Sequence, residues 1–299
     1  SEIERLGGAM DSAAWCAVAN KTHPDVVRNV HEAYLRAGAD VVTANTFATC
    51  RHVLAGADLA DEAASMTRKA VELARQAVDA VAPDRAVAIA GSMSNTVAWI
   101  PGTVSPDMSL MPSAQQESAN YREAAAAIAA AGADLIILEM MCDVEHASRL
   151  AEAAVATGLP VWIGMSCSLV DDEIVAWDMH TEEAASVIAP DHVRSPIRPF
   201  EPVIEAMRSF DPQVMGIMHS TVDAMGPGLD RLYARWPGPV MAYAETADLH
   251  RVAPDVFAAH CRRWVEGGVQ IIGGCCGTTI EHIRAMVEAL PDAVGDRPR

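Results

Sequence analysis

Two adjacent cysteines, in Ile271-Ile272-Gly273-Gly274-Cys275-Cys276-Gly277-Thr278-Thr279, carry the sharpest chemistry in the chain. An apolar run leads into them, glycines flank them, and a helical pattern follows. Neighbouring cysteines do not readily bridge to each other, because the short peptide link strains the disulfide. Where glycines permit a sharp turn, both sulfurs can point into one pocket at a strand end, and two thiolates there are half of a zinc site. The plainer alternative is a pair of small buried residues beside a turn. His219 is the candidate third ligand. A Cys2His set leaves one tetrahedral position for substrate or water, as catalytic zinc requires. The alternative for His219 is an ordinary loop histidine.

These residues are remote in sequence, so the fold must bring them together. Apolar, β-like runs occur at Asp40–Ala44, Ala86–Ala90, Leu135–Leu138, Val161–Met165, Val214–Met218, Val240–Tyr243 and Val269–Ile272. A first strand near Leu6–Met10 brings the count to eight. Continuous rather than alternating runs indicate a sheet buried on both faces. Helical patterns lie between them at Pro24–Ala37, Leu59–Val81, Ala114–Ala131, Val144–Thr157, Pro202–Phe210, Pro254–Glu266 and Ile280–Leu290. Gly38, Gly132, Gly158 and Gly267 sit where helices should stop. Three junctions read almost alike, Ala37-Gly38-Ala39-Asp40, Ala131-Gly132-Ala133-Asp134 and Glu266-Gly267-Gly268-Val269, a weak repeat of βα units.

Eight such units predict an α/β fold, a (β/α)8 TIM barrel occupying residues 1–299 as a single domain. A doubly wound open sheet is the rival, but no Gly-x-Gly-x-x-Gly fingerprint follows the first strand. Pro101–Pro112 and Pro190–Pro202 are expected as excursions at the barrel rim. A barrel places functional groups just after its strands, on the C-terminal face. Asn45, Thr46, Ser92, Glu139, Ser166, Cys167, His219, Glu245, Cys275 and Cys276 all fall in that register. His219, Cys275 and Cys276 are expected to meet around one Zn2+. An imidazole more than about 6 Å from both sulfurs would rule this out, given bonds of about 2 Å. Cys167 is a spare ligand candidate, and Cys16, Cys50, Cys142 and Cys261 read as structural.

Of the 299 residues 51% are hydrophobic, ample for a large core. The net charge of −18, from 22 basic and 40 acidic residues, argues against nucleic acid and anionic membrane as partners. No apolar run reaches the roughly 18 residues of a membrane span. Ser1-Glu2-Ile3-Glu4-Arg5 is unlike a signal peptide. Seven cysteines without scaffold spacing fit a reducing compartment, so a cytoplasmic protein is expected.

Three segments carry a resemblance: Gly273 to Thr279 with the preceding Trp264 to Ile272, His31 to Phe47, and Ala131 to Glu139. Through them nearly the whole chain resembles the homocysteine S-methyltransferase family, which includes betaine–homocysteine methyltransferase and the homocysteine-binding module of cobalamin-dependent methionine synthase. The resemblance implies a (β/α)8 barrel, a catalytic zinc at its C-terminal rim, and transfer of a methyl group from a small-molecule donor to a thiol acceptor in methionine biosynthesis. In the family three cysteines hold zinc, the first within Gly-x-Asn-Cys after the sixth strand. Cys275 and Cys276 match the pair, while Gly216-Ile217-Met218-His219 puts histidine in the first position. Two thiolates neutralise Zn2+ whereas three leave negative charge in excess, so a bound substrate thiolate is expected to be held more tightly and to be less nucleophilic. The family opens with Asp-Gly-Ala/Gly-Met-Gly, whose aspartate helps hold the substrate amino group. Here Leu6-Gly7-Gly8-Ala9-Met10-Asp11 displaces the carboxylate to Asp11. Glu139 matches a family carboxylate that contacts the same amino group.

Asn45 and Ser92 are further candidates for orienting the acceptor. Trp99 and Trp177 would offer ring faces to a cationic donor, or simply pack. A homodimer is the expected assembly. Two rival readings stand beside methyl transfer. One is a zinc hydrolase or lyase using Glu245 or Glu139 as base. The other is a metabolite-binding barrel without catalysis.

Overall fold

The computed structural model describes residues 1–101, 103, 106–181, 196–246 and 251–297. Among these the apolar runs form strands β1 (Val41–Ala44), β2 (Ala88–Ser94), β3 (Leu135–Met141) and β4 (Val161–Met165). Three short strands follow, β5 (Ser168–Val170), β6 (Glu173–Trp177) and β7 (Ile197–Pro199), and then β8 (Val214–Thr221), β9 (Val240–Glu245) and β10 (Ile271–Gly274). The main sheet runs β1-β2-β3-β4-β8-β9-β10, parallel throughout.

The alternation of side chains along these strands divides two cores. Ile136, Leu138, Ile163, Ile217, Val240, Ala242 and Ala244 point outward and join the helices in one large apolar cluster. The residues between them point inward. Leu135, Ile137, Val214 and Met241 form a second cluster, against which Val41 of β1 and Ile271 of β10 both pack. The two edge strands share this interior, so the sheet is curled, as a (β/α) barrel demands.

The expected strand at Leu6–Met10 does not form. Ser1 and Glu4 make a reciprocal capping box that starts a helix at Glu2–Arg5. Gly7, at φ +87°, then ends it. Two consecutive glycines without branched neighbours have little tendency to extend. Among the described residues the parallel sheet therefore has seven strands, with β1 and β10 as its edges. Ile3 is buried beside Val27, Val30 and Leu73 instead.

The helices agree with expectation to within a few residues: Pro24–Arg36, Ala63–Val81, Ala114–Ala130, Glu145–Val155, Glu201–Arg208, Pro254–Glu266 and Ile280–Ala289. Ala60–Glu62, expected as α-helix, is a 3-10 turn. The left-handed glycine after Pro254–Glu266 is Gly268 rather than Gly267. One further helix, Val222–Tyr233, carries Gly226-Pro227-Gly228 within it. Such a triplet reads as a breaker, but Gly228 has a packing reason. A Cβ there would lie 2.8 Å from the Cys167 sulfur.

Both rim excursions are partly described. After β2 the chain makes an isolated bridge, Trp99 to Pro106, and a 3-10 turn at Met108–Leu110. After β4 it forms the antiparallel sheet β5-β6-β7. Residues 102, 104, 105 and 182–195 lie outside the described residues.

Candidate metal centre

β8, β9 and β10 are neighbours in the sheet, and their C-terminal ends bring three remote side chains together. The Cys275 sulfur lies 3.6 Å from His219 Nδ1 and 4.0 Å from the Cys276 sulfur. All three ligand atoms lie within 4.8 Å of one another. A tetrahedral zinc, with bonds of about 2.3 Å to sulfur and about 2.0 Å to nitrogen, holds sulfur and nitrogen about 3.6 Å apart and two sulfurs about 3.8 Å apart. The observed separations fit that donor set. His219 Nδ1 is also 3.1 Å from Glu245 Oε2 at the end of β9, so a carboxylate and the cysteine sulfur face the same ring nitrogen.

The local backbone explains how His219 reaches the site. The register of β8 against β9 shifts between Met218 and Thr221, and His219 has φ +44°. A left-handed histidine in a strand is costly, and the bulge turns an outward position toward the rim. The cysteine turn is stitched to β9 by Cys275 N–H donating to Ala244 O at 2.9 Å and Thr246 N–H donating to Cys276 O at 2.8 Å. Gly277 has φ +78°, and a Cβ at Gly274 would meet Thr278 Oγ1 at 2.5 Å. Both glycines are thus required by the turn. The hydrogen bond with Cys276 is the largest influence on the Cys275 thiol and, with burial, pushes it well up. A divalent cation opposes both effects, because a coordinated thiol deprotonates.

A cavity of about 590 Å³ runs from the barrel interior out between the edge strands β1 and β10, where Tyr34, Ile283 and Met286 of the flanking helices also line it. Asn45, Ser92, Glu139, Trp162, Tyr243 and Gly274 line it. Ser92 Oγ donates a short hydrogen bond to Glu139 Oε2. Burial is the dominant influence on the Glu139 carboxyl and pushes it up, against that bond and the nearby Tyr243 phenol. The charges of Cys276 and His219 also act on it, so carboxyl and cysteine rim form one electrostatic site.

Other expected site residues are used differently. Asn45 lines the cavity, but its Nδ2 donates to Cys16 O at 2.8 Å and to Asn20 Oδ1 at 2.9 Å. Its Oδ1 accepts from the Cys16 thiol at 3.1 Å. It fastens the segment before the first long helix rather than offering free groups. Asp11 Oδ1 accepts from the N–H groups of Ala13 and Ala14 at 2.7 and 2.8 Å, closing a turn away from the cavity wall. Cys167 is buried beneath Ser220, which accepts its N–H at 2.9 Å. Trp177 is only 4% exposed, which leaves no ring face for a ligand.

Sequence reasoning missed Tyr243, Trp15 and Phe47. Alternation along β9 identifies Tyr243, since Met241, Tyr243 and Glu245 must share its inward face. Nothing in the sequence marks Trp15, which stacks on Phe47 at 5.5 Å and meets Trp99 edge-on at 4.7 Å.

Glu117, His146 and His180 form a second cluster of potential ligands. His146 Nδ1 lies 2.6 Å from Glu117 Oε1, a hydrogen bond too short to admit a shared cation, and Arg149 Nε donates to the other carboxylate oxygen. A guanidinium already supplies the positive charge there.

Comparison with known proteins agrees with this architecture. The family model described as homocysteine S-methyltransferase matches residues 1–290. The chain belongs to the homocysteine S-methyltransferase family. Its relatives include the methionine synthases of Mycobacterium tuberculosis, 29% identical over 290 residues, and Mycobacterium leprae, 27% identical over 290 residues. Each match covers 91% of this chain but 22% of the relative, so the chain spans about a fifth of those proteins. Among solved structures, the metallated form of homocysteine methyltransferase MmuM from Escherichia coli has a TM-score of 0.71 at 22% identity, covering 95% of this chain and 91% of that one. The apo form of MmuM gives 0.66 at 22% identity, covering 96% and 92%. At that identity the likeness establishes the fold. Within this methyltransferase family, the present chain places a histidine beside the paired cysteines of its rim.

Proposed function

We propose that the chain catalyses zinc-dependent transfer of a methyl group from a small-molecule donor to a thiol, homocysteine or a close relative. The observation that carries this reading is the meeting of His219, Cys275 and Cys276, directly after Gly274 in the wall of a cavity that also holds the buried Glu139 carboxyl. Those three side chains would hold the ion, and bound zinc supplies a Lewis acid that keeps a thiol ionised at neutral pH.

The rest is done by the chain itself. Glu139 faces the cavity and accepts the substrate ammonium, whose positive charge offsets the burial that otherwise favours the neutral carboxyl. Ser92 holds that carboxyl in place through its hydrogen bond. Anchoring the amino-acid end beneath the rim leaves the thiol at the rim, where displacement at a methyl carbon needs sulfur and donor in line. Trp15, Phe47 and Trp99 form a half-exposed aromatic group on the loops after the Asp11 turn, β1 and β2. Their faces suit a sulfonium or quaternary ammonium donor. Met140, at φ +63°, follows Glu139 in a bulge of β3 that aims the carboxyl inward.

The test joins metal analysis to product analysis. One zinc per chain is expected, falling sharply in Cys275→Ala, together with methylated thiol from a panel of thiols offered sulfonium, ammonium and folate donors. A chain that binds no zinc and methylates no thiol overturns the proposal. Turnover of a substrate by water alone would favour hydrolysis.

A further inference from the structure

Tyr243 sits beside the Glu139 carboxyl in an unusual placement. It lies on β9 between Met241 and Glu245, pointing into the barrel, and lines the cavity beside Glu139. The strands around it are carved to admit it. A Cβ at Gly164 would lie 2.6 Å from the Tyr243 hydroxyl, and one at Gly273 would lie 3.4 Å from its Cβ. The hydroxyl is buried and reaches the Glu139 carboxyl only loosely, without a well-formed hydrogen bond. A fully unpaired buried hydroxyl costs about 1–3 kcal/mol, so a loosely held donor in a cavity wall points to a ligand that pairs it better. Ser92 is already committed to Glu139. Once Glu139 accepts from a substrate ammonium, the side chains of the neighbouring wall residues Trp162, Met241 and Ile137 offer the phenol no oxygen acceptor.

We propose that Tyr243 is a specificity-determining residue whose phenolic O–H donates to the carboxylate of the thiol substrate. Resting on the methyl-transfer reading, this makes Glu139 and Tyr243 a pair that reads both ends of an α-amino acid head group. Glu139 accepts from the ammonium and Tyr243 donates to the carboxylate. The site then selects a zwitterionic thiol over a simple alkyl thiol. Burial and the adjoining Glu139 charge both keep the phenol protonated and able to donate.

Three thiols separate the two contacts: homocysteine, 3-mercaptopropylamine, which lacks the carboxylate, and 4-mercaptobutyrate, which lacks the amine. Binding to the zinc-loaded chain is measured by calorimetry, and KM and kcat by methyl transfer, for the wild type, Tyr243→Phe and Glu139→Gln. Phenylalanine preserves the ring, and zinc content and melting temperature are checked alongside. Tyr243→Phe is expected to weaken homocysteine and 4-mercaptobutyrate by about 10- to 100-fold, the range of a hydrogen bond to a charged group, and to leave 3-mercaptopropylamine unchanged. Glu139→Gln should show the reverse selectivity. An equal loss for all three thiols means that Tyr243 merely supports Glu139, and it overturns the inference while leaving methyl transfer intact. Unchanged homocysteine binding does the same. A zinc-loaded chain that binds none of the three overturns both.

Discussion

At the scale of single residues the centre turns on exchanging one thiolate for an imidazole. Glu245 Oε2 lies 3.1 Å from His219 Nδ1, the nitrogen that also faces the Cys275 sulfur. A nitrogen bound to zinc has no proton to donate, so this carboxylate acts on the ion by its charge and not as a hydrogen-bond partner of the ligand. Glu245→Gln is expected to weaken zinc affinity several-fold in chelator competition, because a negative charge beside the cation is lost. An unchanged affinity would mean that the carboxylate contributes nothing to holding the ion. His219→Cys tests the charge argument from the other side. A third thiolate adds negative charge, so homocysteine should bind several-fold more weakly while single-turnover methyl transfer accelerates. Slower transfer at full zinc occupancy would contradict the view that the imidazole trades nucleophilicity for affinity.

At the scale of elements, small and large residues interlock inside the barrel. Gly164 of β4 pairs with Gly216 of β8, and between them they leave room for the inward side chains of β9. A Cβ at Gly216 would run into the carbonyl oxygen of Met241, which is backbone and cannot swing aside. Gly216→Ala should thus cost about 3 kcal/mol or more, seen in urea unfolding, and should lower thiol binding by displacing Tyr243 along with β9. A variant of wild-type stability would show that the strands can separate without penalty. The strands and most helices were legible because apolar runs and helix-ending glycines act locally. What escaped the sequence was set by packing or by paired backbone geometry. The helix Val222–Tyr233 tolerates Gly226-Pro227-Gly228 because Gly228 must clear Cys167. The β5-β6 hairpin turns through Asp171 and Asp172, both left-handed at φ +49° and +65°, a geometry that Asn-Gly signals far more openly. Asp11 has the chemistry of a substrate anchor, and one of its two carboxylate oxygens is used in turn hydrogen bonds from Ala13 and Ala14. The bulge that aims His219 leaves no mark in composition, so the rim was legible as a register and not as a shape.

At the scale of the whole molecule, the surface is strongly acidic, at −18, and no described helix is long and apolar enough to cross a membrane. Acid stability is decided by a few buried groups instead. His52 is held neutral: its Nε2–H donates to Thr96 O at 3.2 Å, and its Nδ1 accepts from Asn120 at 3.3 Å. Burial lowers it to about 4. Because its folded value lies below the ordinary 6.5, the unfolded chain binds the extra proton, and stability falls as pH drops from about 6.5 toward 4. Glu117 acts in a lower window. Burial pushes its carboxyl up, but bonds from His146, Arg149 and Tyr121 outweigh that and hold it at about 2. Its contribution is fully present above the ordinary 4.5 and is lost as pH falls through that value toward 2. Glu117 ties the helix Ala114–Ala130 to Glu145–Val155, and His146 in turn stacks on His180 of the rim excursion at 3.6 Å. Urea midpoints measured from pH 7 to pH 3 should therefore fall in two stages in the wild type. In Glu117→Gln the midpoint should already be lower at pH 7, by the equivalent of about 2 kcal/mol once solvent screening is allowed for, and the lower stage should flatten. The upper stage should persist in that variant and shrink in His52→Gln, the remainder belonging to His31, which burial also lowers to about 4. Parallel curves for wild type and Glu117→Gln below pH 4.5 would show that the charge network linking the two helices contributes nothing to folding.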